Sequence, residues 1–125
     1  MTRSLIARLG PVAGAVGALA LVGSSAAHAG VNAWGPGTLA PGTEICIGAA
    51  AGSDARAIGS ASPPGVVFRV FRDGVQISSA DAVRRNSFDR YYVGAGTYRF
   101  CARNALGLGM GVDNVSLTLL TDADA

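Results

Sequence analysis

The segment VVFRVFRDGVQIS, Val66 to Ser78, constrains the fold more than any other stretch of the chain. It consists of two alternating runs around Asp73-Gly74, a pair that supplies the positive φ angles of a type I′ hairpin turn. The alternation predicts Val66, Phe68 and Val70 on a core face, with Val75 and Ile77 opposite them. Val67, Arg69 and Phe71 fall on the outer face. Three further stretches alternate in the same way: TEICIGAA (43–50), TYRFCAR (97–103) and DNVSLTLLT (113–121), the last with Val115, Leu117 and Leu119 on one side. FDRYYV (88–93) is joined to TYRFCAR through Gly94–Gly96. Outside the first 29 residues no window carries helical periodicity, so the expected class is all-β. The segments AGSDARAIGSASPPG (51–65) and SADAVRRNS (79–87) read as loops, the first because of Pro63-Pro64.

The first 29 residues read as a signal peptide. Arg3 and Arg8 precede an apolar run from Leu9 to Gly23, and Ala27-His28-Ala29 fits the small-residue rule for cleavage before Gly30. The run is too short and glycine-rich for a stable membrane anchor. The expected organisation is therefore signal peptide 1–29, an irregular lead-in 30–42, a β-sandwich 43–121 and a frayed tail 122–125. Cleavage also changes the charge. The ten basic residues, all Arg, fall to eight, against eight acidic ones. The exported chain is then formally neutral, with its arginines scattered, and composition gives no reason to expect nucleic acid or an anionic membrane as partner.

An exported chain with two cysteines, Cys46 and Cys101, has one connectivity open to it. Closing that loop constrains the unfolded chain by roughly 4 kcal/mol in the loop-entropy view, a large share of the stability of about 5–15 kcal/mol usual for a domain.

FRVFRDGVQI, AGTYRFCARNALGLG and VSLTLLT together resemble the C-terminal half of a fibronectin type III domain, over Val66 to Thr121. The shared features are the strand–Asp-Gly–strand hairpin, the Gly-Thr-Tyr entry to the penultimate strand, and an Arg-Asn-Ala-x-Gly exit before a final Ser/Thr/Leu strand. The resemblance implies a single immunoglobulin-like or fibronectin type III-like antiparallel sandwich. It departs in the N-terminal part, where TEICIGAAA has no Trp. Parity then bears on the disulfide. Cys101 alternates outward with Arg99 and Arg103, and Cys46 lies on the polar side with Glu44. Outward cysteines bond only between neighbouring strands of one sheet, which sets Glu44 opposite Arg103 and Ile47 opposite Phe100. A fibronectin-type order places those strands in different sheets, so either the first strands are rearranged or a bulge turns Cys46 inward.

By the same resemblance NALGLGMGVDN (104–114) contains a long hairpin loop between the last two strands. Leu106, Leu108 and Met110 form either its exposed apolar tip or a lid folded over the open end of the sandwich.

Residues 30–125 contain neither His nor Lys, which removes Ser-His-Asp, Cys-His and Ser-Lys nucleophilic chemistry and His-based metal sites. Acid–base work would fall to carboxylates such as Asp54, Asp81 and Asp89, whose spacing does not select them. Asp113, Asp122 and Asp124 match no calcium loop. The expectation is no enzyme, no cofactor and no metal. Outward aromatic rings remain as binding candidates: Phe71, Trp34 in its Gly/Pro-rich segment, and one of the adjacent Tyr91 and Tyr92. A secreted, non-catalytic binding or structural module contacting an extracellular protein or carbohydrate is the expected function. The alternative is a secreted hydrolase inhibitor acting through the 105–113 loop.

Overall fold

A computed structural model describes residues 30–78, 83–105 and 109–125. The signal-peptide segment 1–29, the carboxylate candidate Asp81, and the loop candidates Leu106 and Leu108 lie outside the described residues.

The described residues form eight strands: β1 (Gly30–Leu39), β2 (Glu44–Ala51), β3 (Asp54–Ser60), β4 (Val67–Arg72), β5 (Val75–Gln76), β6 (Ser87–Val93), β7 (Gly96–Arg103) and β8 (Val112–Thr121). They make two antiparallel four-stranded sheets, ordered β1-β8-β3-β6 and β2-β7-β4-β5. The expected all-β sandwich with one disulfide is the fold of the chain. Apart from the β4–β5 hairpin, each connection passes from one sheet to the other. That interleaving is the double Greek key of a jelly roll.

Local chemistry accounts for the elements. In the β4–β5 turn, Asp73 and Gly74 take φ of 52° and 81°, as the Asp-Gly pair predicts. Val66, Phe68 and Val70 are buried on the inner face. Val75, expected opposite them in the core, is 65 % exposed, because β5 is a two-residue edge strand that ends beyond the packed region; Ile77 alone reaches the core. The Phe68, Phe88 and Phe100 rings meet with centroids 5.4–5.8 Å apart at the centre of the sandwich, a geometry that adds to simple area burial.

The segment 51–65, expected to be a loop, contains β3. Its inner face is Ala55, Ala57 and Gly59, all buried. A Cβ on Gly59 would lie 2.5 Å from Phe68 Cε1, so the small residues make room for the phenylalanine cluster. That requirement erased the hydrophobic alternation a strand normally displays. The lead-in 30–42, expected to be irregular, is likewise a strand through Leu39 and pairs with β8. Trp34 turns inward there and packs against the core. The tail is a 3₁₀ turn, Asp122–Asp124. It is tied back, since the Asp122 carboxylate accepts hydrogen bonds from Gly52 N, Ser53 N and Ser53 Oγ at 2.8–3.0 Å.

The disulfide joins neighbouring strands of one sheet, as the outward parity of both cysteines requires. β2 and β7 are neighbours, with Cys46 opposite Cys101, Glu44 opposite Arg103 and Ile47 opposite Phe100. The cysteines are bonded across the two strands with Cα atoms 4.1 Å apart. Glu44 makes its ion pair with Arg69 of β4 rather than with the Arg103 it faces. The expected hairpin loop between the last two strands is corrected. β7 and β8 belong to different sheets, so no hairpin joins them. The β7–β8 connection is anchored by Asn104, which is fully buried. Its Nδ2 donates to Leu39 O (2.9 Å) and Met110 O (2.8 Å), while its Oδ1 accepts from Arg84 (3.0 Å). Arg84 also donates to Gly65 O and Ala105 O, joining three connections at one end of the molecule.

Candidate binding face

Strand alternation places Phe71 on β4 and Thr97, Arg99, Cys101 and Arg103 on β7 on the outer face of the disulfide-bearing sheet. The register sets Phe71 directly opposite Arg99 and Val67 opposite Arg103. Cys101 and Val67 are buried even though they lie on this outer face. Beside them, Phe71, Asp73, Gly74, Thr97 and Arg99 line a shallow open depression of about 380 Å³. Two guanidinium groups flank the half-buried Phe71 ring: Arg99 with its Cζ 4.5 Å from the ring centroid, and Arg69 at 5.2 Å. Such contacts hold a cation over the negative face of the ring.

The two arginines differ in their remaining partners. Arg69 is bound by Glu44. Among the described residues, neither Arg99 nor Arg103 has a carboxylate within ion-pair distance. The rim of the depression is fixed by the hairpin turn: Asp73 N donates to Thr97 O, and Thr97 N donates to Asp73 Oδ1, both at 2.9 Å. A planar guanidinium with free donors, an aromatic ring, a hydroxyl and a carboxylate therefore share one open surface. The sequence identified Phe71 here and missed Arg99, Thr97 and Asp73. Alternation already placed Arg99 outward, but the pairing of β4 with β7 that brings it to Phe71 was not deduced.

The other aromatic candidates are elsewhere. Trp34 is an inward core residue of β1. Tyr91 points outward from β6 and is 53 % exposed, whereas Tyr92 points inward, its ring 6.3 Å from that of Tyr98. The Tyr91 hydroxyl donates to Asp54, and that hydrogen bond holds its pKa above the ordinary phenol value. Burial raises that of Tyr92, whose hydroxyl finds no partner within the described residues. Met110 is 54 % exposed at the end of the β7–β8 connection, so this residue does not fold inward as a lid.

Of the carboxylates weighed for acid–base work, Asp89 is bound by both nitrogens of the Arg56 fork at 2.7–2.8 Å. That hydrogen bonding holds its pKa below the usual carboxylate range. Asp54 is engaged by Tyr91 and Ser53. Asp113 and Asp122 stand near opposite ends of β8 and do not converge with Asp124 on a cation site. Glu44, Cys46 and Cys101 cluster within reach of a metal ion, but both sulfurs are committed to the disulfide. Compared with known protein families and with curated proteins, the sequence has no match.

Proposed function

We propose that this protein is a secreted, non-catalytic binding module that contacts an extracellular carbohydrate or protein through the outer face of its disulfide-bearing sheet. The observation that carries the proposal is the pairing of Phe71 with Arg99 beside an open depression, with Arg99 left unengaged by any carboxylate among the described residues. Aromatic rings and arginines dominate the energetics of recognition surfaces, because both offer large contact area together with directed polar contacts.

Export is supported by the disulfide. No helix among the described residues is long and apolar enough to cross a membrane. The non-catalytic character is supported by the absence of His and Lys from residues 30–125 and by the engagement of Glu44, Asp54, Asp89 and Asp122 in hydrogen bonds or ion pairs. The likeness to immunoglobulin and fibronectin type III domains has its support in four strands. β3 pairs with β6 and β4 with β7, as the second and fifth, and the third and sixth, strands do in such sandwiches. The flanking places differ, with β8 beside β3 and β2 beside β7.

The test is retention of the oxidised protein on immobilised polysaccharides and extracellular proteins, with Phe71→Ala as the discriminating variant. Retention of native protein and its loss in the variant support this face; equal retention of both refutes it. Hydrolase inhibition through the β7–β8 connection is favoured by one observation, the Asn104 clasp at its base with Met110 exposed beyond it. A loop that survives limited proteolysis while the target enzyme is inhibited would support that function instead.

A further inference from the structure

Two arginines of the Phe71 face, Arg99 and Arg103, have no carboxylate partner among the described residues. We propose that this face binds a carboxylate-bearing saccharide, a chain of uronic acid units. This deepens the binding function proposed above and rests on it.

Four observations converge. Arg99 and Arg103 project from the same face of β7, four residues and therefore about 13 Å apart, with no carboxylate partner among the described residues. The exported chain is formally neutral, so two unengaged cations on one strand make this a locally positive surface of a molecule with no overall charge. An arginine lying against an aromatic ring keeps its in-plane N–H donors available, and that planar fork matches a carboxylate in two parallel hydrogen bonds. Arg99 is held in that relation to Phe71.

Beside the cations, the depression presents polar groups that suit hydroxyls. Asp73 retains acceptor capacity beyond its bond from Thr97 N, and Thr97 brings a hydroxyl. A pyranose ring in the depression packs its C–H face against the part of Phe71 that lines it, its carboxylate meets Arg99, and its hydroxyls donate to Asp73. Arg103, four residues along β7, lies where a carboxylate further along the polymer can reach it.

The same groups disfavour an acidic peptide. Its carboxylates can meet the arginines, but it brings no hydroxyls for Asp73 to accept from. A flat, open surface also suits an extended polymer better than a small ligand, which needs an enclosing pocket.

The experiment is isothermal titration calorimetry of the purified, oxidised protein at low ionic strength. The probes are oligomers of galacturonic acid, neutral galactose oligomers and poly-glutamate. The expected result is measurable binding of the galacturonic acid oligomers only. Removing the bidentate contact in Arg99→Gln weakens it about tenfold or more, Phe71→Ala weakens it comparably, and physiological salt reduces it. Unchanged melting temperatures in both variants show that the sheet is intact. Neutral oligomers bound as tightly as the acidic ones, with dependence on Phe71 but none on Arg99, overturn the charge-selective inference and leave the binding face standing. Poly-glutamate bound as tightly as the uronic acid oligomers overturns the saccharide assignment. Absence of binding to the galacturonic acid oligomers overturns the inference, and equal capture of native protein and Phe71→Ala by other ligands overturns the face itself.

Discussion

Asn104 holds the end of the sandwich together, and its replacement tests that claim quantitatively. Asn104→Ala removes three side-chain hydrogen bonds, to Leu39 O, to Met110 O and from Arg84. A typical intramolecular hydrogen bond contributes about 1 kcal/mol net, and leaving a buried partner unsatisfied raises that to about 1–3 kcal/mol. Leu39 is 5 % exposed and its carbonyl loses its side-chain partner. The other two partners are better placed: the Met110 carbonyl belongs to an exposed residue, and Arg84 keeps its bonds to Gly65 O and Ala105 O. The sum is about 3 kcal/mol. For a domain of this size that lowers the melting temperature by roughly 12–24 °C, at about 4–8 °C per kcal/mol. The assay is urea denaturation of the oxidised protein, followed by far-ultraviolet circular dichroism, with an unchanged m-value as the check that the unfolded state is unaltered. The backbone bonds of Asn104 with Gly42 and Thr43 survive the substitution, so the variant folds. A loss below about 0.5 kcal/mol, the level of an ordinary surface substitution, would show that the β7–β8 connection is held by something other than this side chain.

Cys46→Ala with Cys101→Ala lowers stability by up to about 4 kcal/mol in the chain-entropy view, and the bond's place on the outer face predicts a native circular dichroism spectrum; an unfolded double variant in the absence of denaturant would contradict this. Gly59→Ala destabilises by about 1–3 kcal/mol through overpacking against Phe68, and calorimetry showing a neutral or higher melting temperature would contradict the close approach. Hydrogen bonds from Gly52 N–H foremost, then from Ser53, hold the Asp122 carboxyl below its ordinary value of 3.8. Its stabilising contribution is therefore complete above that value and is lost as pH falls through the lowered folded-state pKa; Asp122→Asn should flatten this limb of the acid titration of stability, and an unchanged limb would refute the assignment.

The elements legible in the sequence are those whose inner face is large and apolar. β4, β7 and β8 alternate openly, and the Asp73-Gly74 turn declared its own conformation. β3 was hidden because Ala55, Ala57 and Gly59 are the small halves of a complementary pair whose large halves, Phe68, Phe88 and Phe100, lie on other strands. Periodicity measures one strand at a time and registers such a surface as polar or featureless. β1 was hidden by its Gly35-Pro36-Gly37 interruption, across which its pairing with β8 shifts register.

Pairing between strands distant in sequence is a different kind of information, and the two cysteines were its one local trace. An outward cysteine on each of two strands requires those strands to be neighbours, because the sulfurs of a disulfide cannot reach around a sheet. That adjacency sets β2 beside β7, the place that the last strand holds in a fibronectin type III domain. With the place filled, β8 adds to the opposite sheet, and the buried Asn104 at the end of β7 ties Leu39 to Met110, close to where β8 begins. The same outward parity that exposes Cys101 to its partner exposes Arg99 and Arg103 on either side of it. Opening the disulfide while preserving the fold should therefore loosen the surface that carries both arginines, and ligand affinity should fall along with stability.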